Sequence, residues 1–283
     1  MERHVFKFGE SSIAMVVPKG WADKNALKPK DSIYLAETDG GELIVSTKSV
    51  VKKNTDVLIE SSTKPTIVGR WVGLHYIYGV SKIRIHSQDG ITSQQLDAIE
   101  ERINYDCAGF EITSQSKNDV IIEDFMDAKE VTMEKIVNRL RSLIGFEFKD
   151  MHEGNFKSVE KTEKIVNRFY MLGARHTYMT RPKDELKYFK LLELIEGISD
   201  KITEVSSEID QKHTSIFEDL QRQFDESFLG LNGSLKSIES VARQRELIHK
   251  KLSSSRMDHA NARLLKEVSD CISSIAEFGL RVD

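Results

Sequence analysis

The spacing of hydrophobic and polar positions changes twice along the chain. Residues 3–46 contain short alternating runs on either side of one short helical segment. Residues 55–125 alternate between strand-like and helix-like segments, and residues 130–280 keep a helical period throughout. The pattern therefore predicts a multidomain α+β protein whose domains span residues 1–48, 55–127 and 130–283.

The first segment is predicted to form a small β module that needs a partner. In RHVFKFG, alternation places Phe6 and Phe8 on one face, whereas Ser12–Val17 is apolar on both faces. Pro18 is well placed to start a short helix, and the strands DSIYLAE and GELIVS are predicted to pair around the turn Thr38–Gly41. Because about 45 residues barely support a core, we expect a second copy of the chain to interlace with this module.

The middle segment is predicted to be a β-α-β-α-β-β unit. Its strands are predicted at residues 56–60 and 81–86 and in FEITSQ and DVIIED, and its helices at 65–78 and 92–105. Thr92 is a suitable N-cap for the second helix. The unit has no glycine-rich phosphate loop, so we do not predict a nucleotide site there.

The remainder is predicted to form six helices, which contain an internal repeat. The helices are predicted at residues 132–152, 157–178, 184–209, 213–229, 234–253 and 258–280. Residues 193–207 align without gaps with 263–277, and the preceding segments EKIVNRFYML (163–172) and ESVARQRELI (239–248) share a pattern. The helical part is therefore predicted to be a bundle of two three-helix units, each ending in a helix with Asp200 or Asp270 on the same stripe.

Composition and motifs narrow the protein class. The net charge of −4 excludes a globally basic nucleic-acid coat, and two cysteines exclude a disulfide scaffold. The chain start does not resemble a signal peptide, and the longest near-apolar stretch, Thr66–Val80, is too short to span a bilayer and contains Arg70. We expect a cytoplasmic protein without membrane insertion. We predict no enzymatic activity, because the chain has no GxSxG elbow or GxxxxGK[ST] loop.

The first segment and the helical half each resemble a known family. RHVFKFG, the VVPKGW strand-to-helix step, the LKPKD turn and ELIVS resemble an AbrB/SpoVT-like swapped-hairpin module. The six-helix half resembles PhoU, the phosphate-uptake regulator, whose third and sixth helices carry an E-x-x-x-D pair like that of Glu196 and Asp200. The whole chain resembles archaeal PhoU-like regulators that carry an N-terminal AbrB-like domain.

The AbrB-like resemblance implies a homodimer, formed through residues 1–48, that binds double-stranded DNA. The best available phosphate contacts are Arg3, Lys7, Lys19 and Lys24. The positions at which the family carries paired arginines correspond here to Ala22 and Asp23. Residues 1–53 contain nine Lys and Arg against seven Asp and Glu, so the local net charge is only +2. This departure weakens the expected basic patch.

The PhoU-like resemblance implies a divalent-metal or iron cluster on the first three-helix unit. Its candidate ligands are Glu163, Glu193, Glu196 and Asp200, and hard cations prefer such anionic oxygen ligands. The family pattern prefers Asp where this chain has Asn167. In the second unit Lys266 replaces the glutamate, and Arg243 follows Glu239 four residues later. These cations confine any cluster to the first unit.

Three functions remain open from the sequence. The first is a DNA-binding transcriptional regulator linked to phosphate uptake or homeostasis, with the helical half as sensor or partner-binding domain. The second is a regulator that does not bind DNA and instead contacts a transporter or signalling protein. The third is a metal-binding bundle. The presence of the AbrB-like module favours the first.

Overall fold

The computed structural model describes residues 3–37, 41, 43–47, 53–126, 131–182, 184–210 and 213–280. The protein is a mixed α+β chain and divides into two compact units, Met1–Val51 and Lys52–Asp283. In the part of the chain that is described, no helix combines the length and apolar character needed to cross a membrane.

The first unit consists of two antiparallel hairpins and one short helix. β1 (Val5–Phe8) pairs with β2 (Ser12–Met15), and β3 (Tyr34–Glu37) pairs with β4 (Leu43–Ser46). The helix α1 (Lys19–Lys24) follows Pro18, as predicted, because proline lacks the N–H that a first helical turn leaves unused. The two hairpins form separate two-stranded sheets. Most of the predicted turn Thr38–Gly41 lies outside the described residues.

The second unit begins with a four-stranded sheet and two helices in the predicted order. The elements are β5 (Lys53–Ile59), α2 (Pro65–Ile77), β6 (Val80–Ser87), α3 (Ser93–Asp106), β7 (Phe110–Gln115) and β8 (Asp119–Asp124). The strand order is β5-β6-β8-β7, with β5 parallel to β6 and the other neighbours antiparallel. The predicted N-cap Thr92 is confirmed: its hydroxyl accepts from the backbone N–H of Gln95 in a capping box.

One face of this sheet packs on the two helices and the other is polar. Ile83 and Ile85 on β6 belong to the same buried core as Val72 of α2 and Ile99 of α3. The alternate residue Lys82 instead forms a 2.7 Å ion pair with Glu123, and Arg84, two positions further on, forms one with Asp119 at 2.8 Å. The period-two alternation that predicted β6 therefore also separates its core face from its polar face.

The rest of the unit is a bundle of six helices. They are α4 (Met133–Glu153), α5 (Phe156–Thr180), α6 (Glu185–Ser206), α7 (Ile216–Leu231), α8 (Leu235–Ser254) and α9 (His259–Glu277). The apolar stripes of all six meet in one continuous core. The predicted break after α4 is confirmed, because Gly154 adopts the left-handed conformation (φ 78°) that ends a helix. The middle of α5 also packs against the sheet layer through Met171.

Candidate functional site

The first unit exposes the apolar side chains that would normally form its core. None of its described residues is buried. Ile13 is 74% exposed and Phe8 68% exposed, and Val5 and Val16 are also open to solvent. Neighbouring positions of a strand point to opposite faces, so exposed apolar side chains at Val5, Phe6 and Phe8 leave both faces of β1 uncovered. So many exposed apolar side chains on one small unit are typical of an interaction surface.

The four predicted DNA contacts all lie on this unit and are all exposed. Arg3 precedes β1, and Lys7 lies within it. Lys19 and Lys24 are the first and last residues of α1, and their spacing of five positions places them about 140° apart around the helix axis. They therefore lie on different faces of one short helix.

A cluster of carboxylates lies within the first half of the bundle, and Glu147 of α4 is its buried member. Glu147 is fully buried on the apolar stripe of α4. The Ser199 hydroxyl of α6 donates a 2.6 Å hydrogen bond to Glu147 Oε1, whereas Oε2 has no partner within the described chain. Burial raises the pKa of Glu147 to about 8, and the nearby Glu163 and Asp200 carboxylates add to the rise. Glu147 is therefore mostly protonated at neutral pH.

Two of the four predicted metal ligands, Glu163 and Asp200, lie close enough to Glu147 to raise its pKa, and a third, Glu196, interacts with both of them. Burial raises the pKa of Glu196 to about 7, with further contributions from Asp200 and Glu163. Asn167 Nδ2 donates a 2.5 Å hydrogen bond to Glu163 Oε1, while burial raises the pKa of Glu163. Glu193 instead forms a 3.0 Å ion pair with Lys190. Across the described residues, no three or more His, Cys, Asp or Glu side chains are positioned to hold a metal ion.

One member of the acidic cluster, Glu163, lines a cleft. A cavity of about 640 Å³ lies between α2, α3 and α5, and Glu163 and Asn167 form part of its wall. Arg102 in the same wall forms an ion pair with Asp106, and Lys164 lies 4.5 Å from the ring centroid of Tyr105. The cleft thus carries charges of both signs, and a change in the charge of Glu163 would change the electrostatic potential inside it.

The corresponding stripe of the second three-helix unit is neutralised by cations. Asp270 forms an ion pair with Arg245 at 2.5 Å, and its Oδ1 also lies 3.1 Å from His249 Nε2. Lys266 donates to the Ser253 hydroxyl at 2.8 Å. The carboxylates of α6 therefore lie among other carboxylates, whereas Asp270 of α9 lies among cations, although the two helices are related by the sequence repeat.

The bundle is joined to the sheet by a buried arginine. Arg175 of α5 is 1% exposed. Its Nη2 lies 2.5 Å from Asp124 Oδ2 at the end of β8, and its Nη1 donates to the backbone carbonyls of Tyr76 and Val80. Its guanidinium also lies 4.7 Å from the ring centroid of Tyr76. One side chain on α5 thus ties together the ends of α2, β6 and β8.

Sequence reasoning did not identify Glu147 or Arg175. A signal for Glu147 was present, because it occupies an apolar-stripe position between Ile144 and Met151 where a carboxylate is costly unless partnered. Arg175 had a weaker signal as the charged residue in the otherwise uncharged run MLGARHT. Its partner Asp124 is distant in sequence, and no local pattern specifies the pairing.

Comparisons of the chain with protein-family models, with curated proteins and with solved structures return no match.

Proposed function

We propose that the protein is a homodimeric, DNA-binding transcriptional regulator whose helical half acts as a sensor or partner-binding domain. The observation that supports this most directly is the first unit, where exposed apolar strands occur beside exposed lysine and arginine side chains. The sequence resemblance to an AbrB-like module and a PhoU-like bundle supports a role in phosphate uptake or homeostasis.

Dimerisation follows from the energetics of the exposed strands. Burying one large apolar side chain contributes about 1.5–3 kcal/mol. Val5, Phe6, Phe8, Ile13 and Val16 are all exposed in a single copy. An interlaced second copy would cover both faces of β1 and β2 at once. It would also double the positive charge, which a single module carries only weakly.

DNA binding by the dimer would depend on neutralising phosphates. Each copy would supply Arg3, Lys7, Lys19 and Lys24, all of which are exposed. Contacts of this type release counterions, so the affinity would fall steeply as salt rises. The helical half would then change binding through a partner or ligand. α5 is well suited to this role, because it carries both Glu163 of the acidic cluster and Arg175 of the junction with the sheet.

The deciding experiment is a salt series of DNA binding followed by fluorescence anisotropy. It would use the full-length protein, the DNA region upstream of its own gene, and a scrambled duplex of the same length and composition. Tight and sequence-selective binding with a steep salt dependence is expected.

Weak binding that is equal for both duplexes and disappears at moderate salt would contradict the proposal. The first unit would then serve only as a dimerisation device, and the protein would regulate a transporter or signalling protein through contacts of its helical half.

A further inference from the structure

The internal repeat aligns α5, one face of which is covered by other parts of the chain, with α8, where the aligned positions are exposed. Residues 163–172 of α5 align with 239–248 of α8. Continued along the two helices, the alignment pairs Met171 with Leu247 and Arg175 with Lys251. The two helices hold the same place in the chain order, since each is the middle helix of its three-helix unit.

On α5 this face is covered by the chain itself. Every residue from Met171 to Thr177 is buried. Met171 packs on α2, where a Cβ added to Gly73 would lie 3.3 Å from its Cε atom. Arg175 forms a 2.5 Å ion pair with the carboxylate of Asp124. The elements that cover this face of α5 thus supply an apolar surface for Met171 and a carboxylate for Arg175.

On α8 the same face is open. Between residues 247 and 253 only Ile248 and Leu252 are buried, and both point into the bundle core. Leu247 is 66% exposed. Lys251 is half exposed and has only Asp219 of α7 as its carboxylate partner among the described residues, at 2.7 Å.

Two adjoining cavities follow this open face along the seam between α7 and α8. One, of about 260 Å³, is lined by Gln244, Leu247 and Ile248 together with Asp219, Arg222 and Lys251. The other, of about 450 Å³, shares Lys251 and continues past Leu252 and Arg256 to Met257. From Gln244 to Ser255 the groove extends for roughly three helical turns, or about 16 Å. We refer to it as the α7–α8 groove.

The charge around the α7–α8 groove is positive. Arg222, Lys250, Lys251 and Arg256 lie on or beside it. Within the described chain Lys250 and Arg256 form no ion pair, and Arg222 and Lys251 share the single carboxylate of Asp219. Gln244 also has a buried side-chain oxygen without a partner among the described residues.

We propose that the α7–α8 groove is a docking site for an acidic, amphipathic helix of a partner protein. Its apolar side chains would cover Leu247, as α2 covers Met171, and its carboxylates would pair with Lys251 and Arg256, as Asp124 pairs with Arg175. A nucleic acid fits less well, because the apolar floor of the groove, formed by Leu247 and Ile248, offers nothing to a phosphate backbone. Docking at this groove does not depend on DNA binding by the first unit.

The test uses the full-length protein and a labelled synthetic peptide of about 18 residues. Leucines follow one helical face of the peptide, and glutamates occupy the other positions. Two matched peptides accompany it: a scrambled one without an apolar face and one with lysine in place of every glutamate. Fluorescence anisotropy is expected to show micromolar binding of the acidic amphipathic peptide and at least tenfold weaker binding of both others.

Two variants test whether the peptide binds in the α7–α8 groove. Leu247→Glu and, separately, Lys251→Glu are each expected to weaken peptide binding at least tenfold, because the first places a charge on the apolar contact and the second repels the carboxylates. Both side chains are exposed, and an unchanged circular dichroism spectrum verifies folding. Leu186→Glu is the matched control, since Leu186 is 83% exposed on α6, away from the groove. It should leave binding unchanged.

Three results would overturn the proposal. The acidic peptide could fail to bind at millimolar concentration, or it could bind both groove variants as tightly as the unaltered protein. The third result is competition by a 20-base-pair duplex whose own binding is abolished in Lys251→Glu, which would make the groove a nucleic-acid surface.

Discussion

The buried guanidinium of Arg175 and the carboxylate of Asp124 form a 2.5 Å ion pair that joins the bundle to the sheet, with side chains 1% and 8% exposed. Neither charge reaches solvent, so each depends on the other for compensation. The pair makes the ends of α2, β6 and β8 part of the same cooperative structure as α5.

Replacing Arg175 with methionine is expected to lower the free energy of unfolding by about 3–5 kcal/mol, because Asp124 would be left as an uncompensated buried charge. The double variant Arg175→Met, Asp124→Asn should be destabilised by clearly less than the sum of the single changes. Urea unfolding of all three variants measures this. Arg263→Met is the control, since the Arg263 side chain is 74% exposed and its ion pair with Glu267 is long, at 3.7 Å. Additive effects would contradict the coupling.

Glu147 is expected to make the protein less stable as pH rises. Its pKa is about 8 in the folded protein, against a usual 4.5, so the folded state holds a proton that the unfolded state has released between these values. Stability should fall as pH rises from about 5 to about 8. Glu147→Gln imitates the protonated form and should reduce this fall, whereas Glu160→Gln, at an exposed position of α5, should not. Denaturant unfolding at pH 5 and pH 8 checks it.

Ile13→Asp is expected to convert the proposed dimer to a monomer, because Ile13 is 74% exposed in a single copy and would be buried by an interlaced second one. Light scattering coupled to size exclusion gives the mass directly. Leu186→Asp places the same charge on a more exposed leucine of the other unit and should remain dimeric. A monomeric unaltered protein would contradict the expectation at once.

The double change Lys19→Glu, Lys24→Glu is expected to weaken DNA binding and to reduce the slope of its salt dependence by about one unit for each phosphate that is no longer neutralised. Both lysines belong to α1. Lys236→Glu, at an exposed position of α8, is the comparison. Equal affinity and slope for the altered and unaltered proteins would show that α1 does not face the DNA.

The predicted metal ligands remain a prediction with a direct test. The Asp200 carboxylate raises the pKa of Glu196, so a divalent cation bound between the two would stabilise the fold. Thermal unfolding with and without Mn²⁺ should show a higher Tm with the ion for the unaltered protein and no change for Glu196→Ala, Asp200→Ala. Elemental analysis of the purified double variant provides the second measurement, since retained metal would exclude this site.

Local periodicity predicted the helices and strands well. FEITSQ and DVIIED were placed at the residues that form β7 and β8, and the six bundle helices begin and end within three residues of the predicted bounds. The charge contrast between the two three-helix units also followed from residues at equivalent positions, Glu196 and Lys266. Each of these features depends on neighbours one or two turns away, which is why the sequence pattern carries them.

The charged interactions between distant segments depended on tertiary structure. The sequence by itself determined the elements, their order and the stripe on which Glu163, Glu196 and Asp200 lie. Only the packed structure brought Glu147 beneath that stripe, placed Asp124 against Arg175 and left Leu247 uncovered where Met171 is buried. The physical reason is that hydrophobic spacing specifies which face of an element is buried, whereas ion pairs and uncovered surfaces depend on which other element comes to lie against that face.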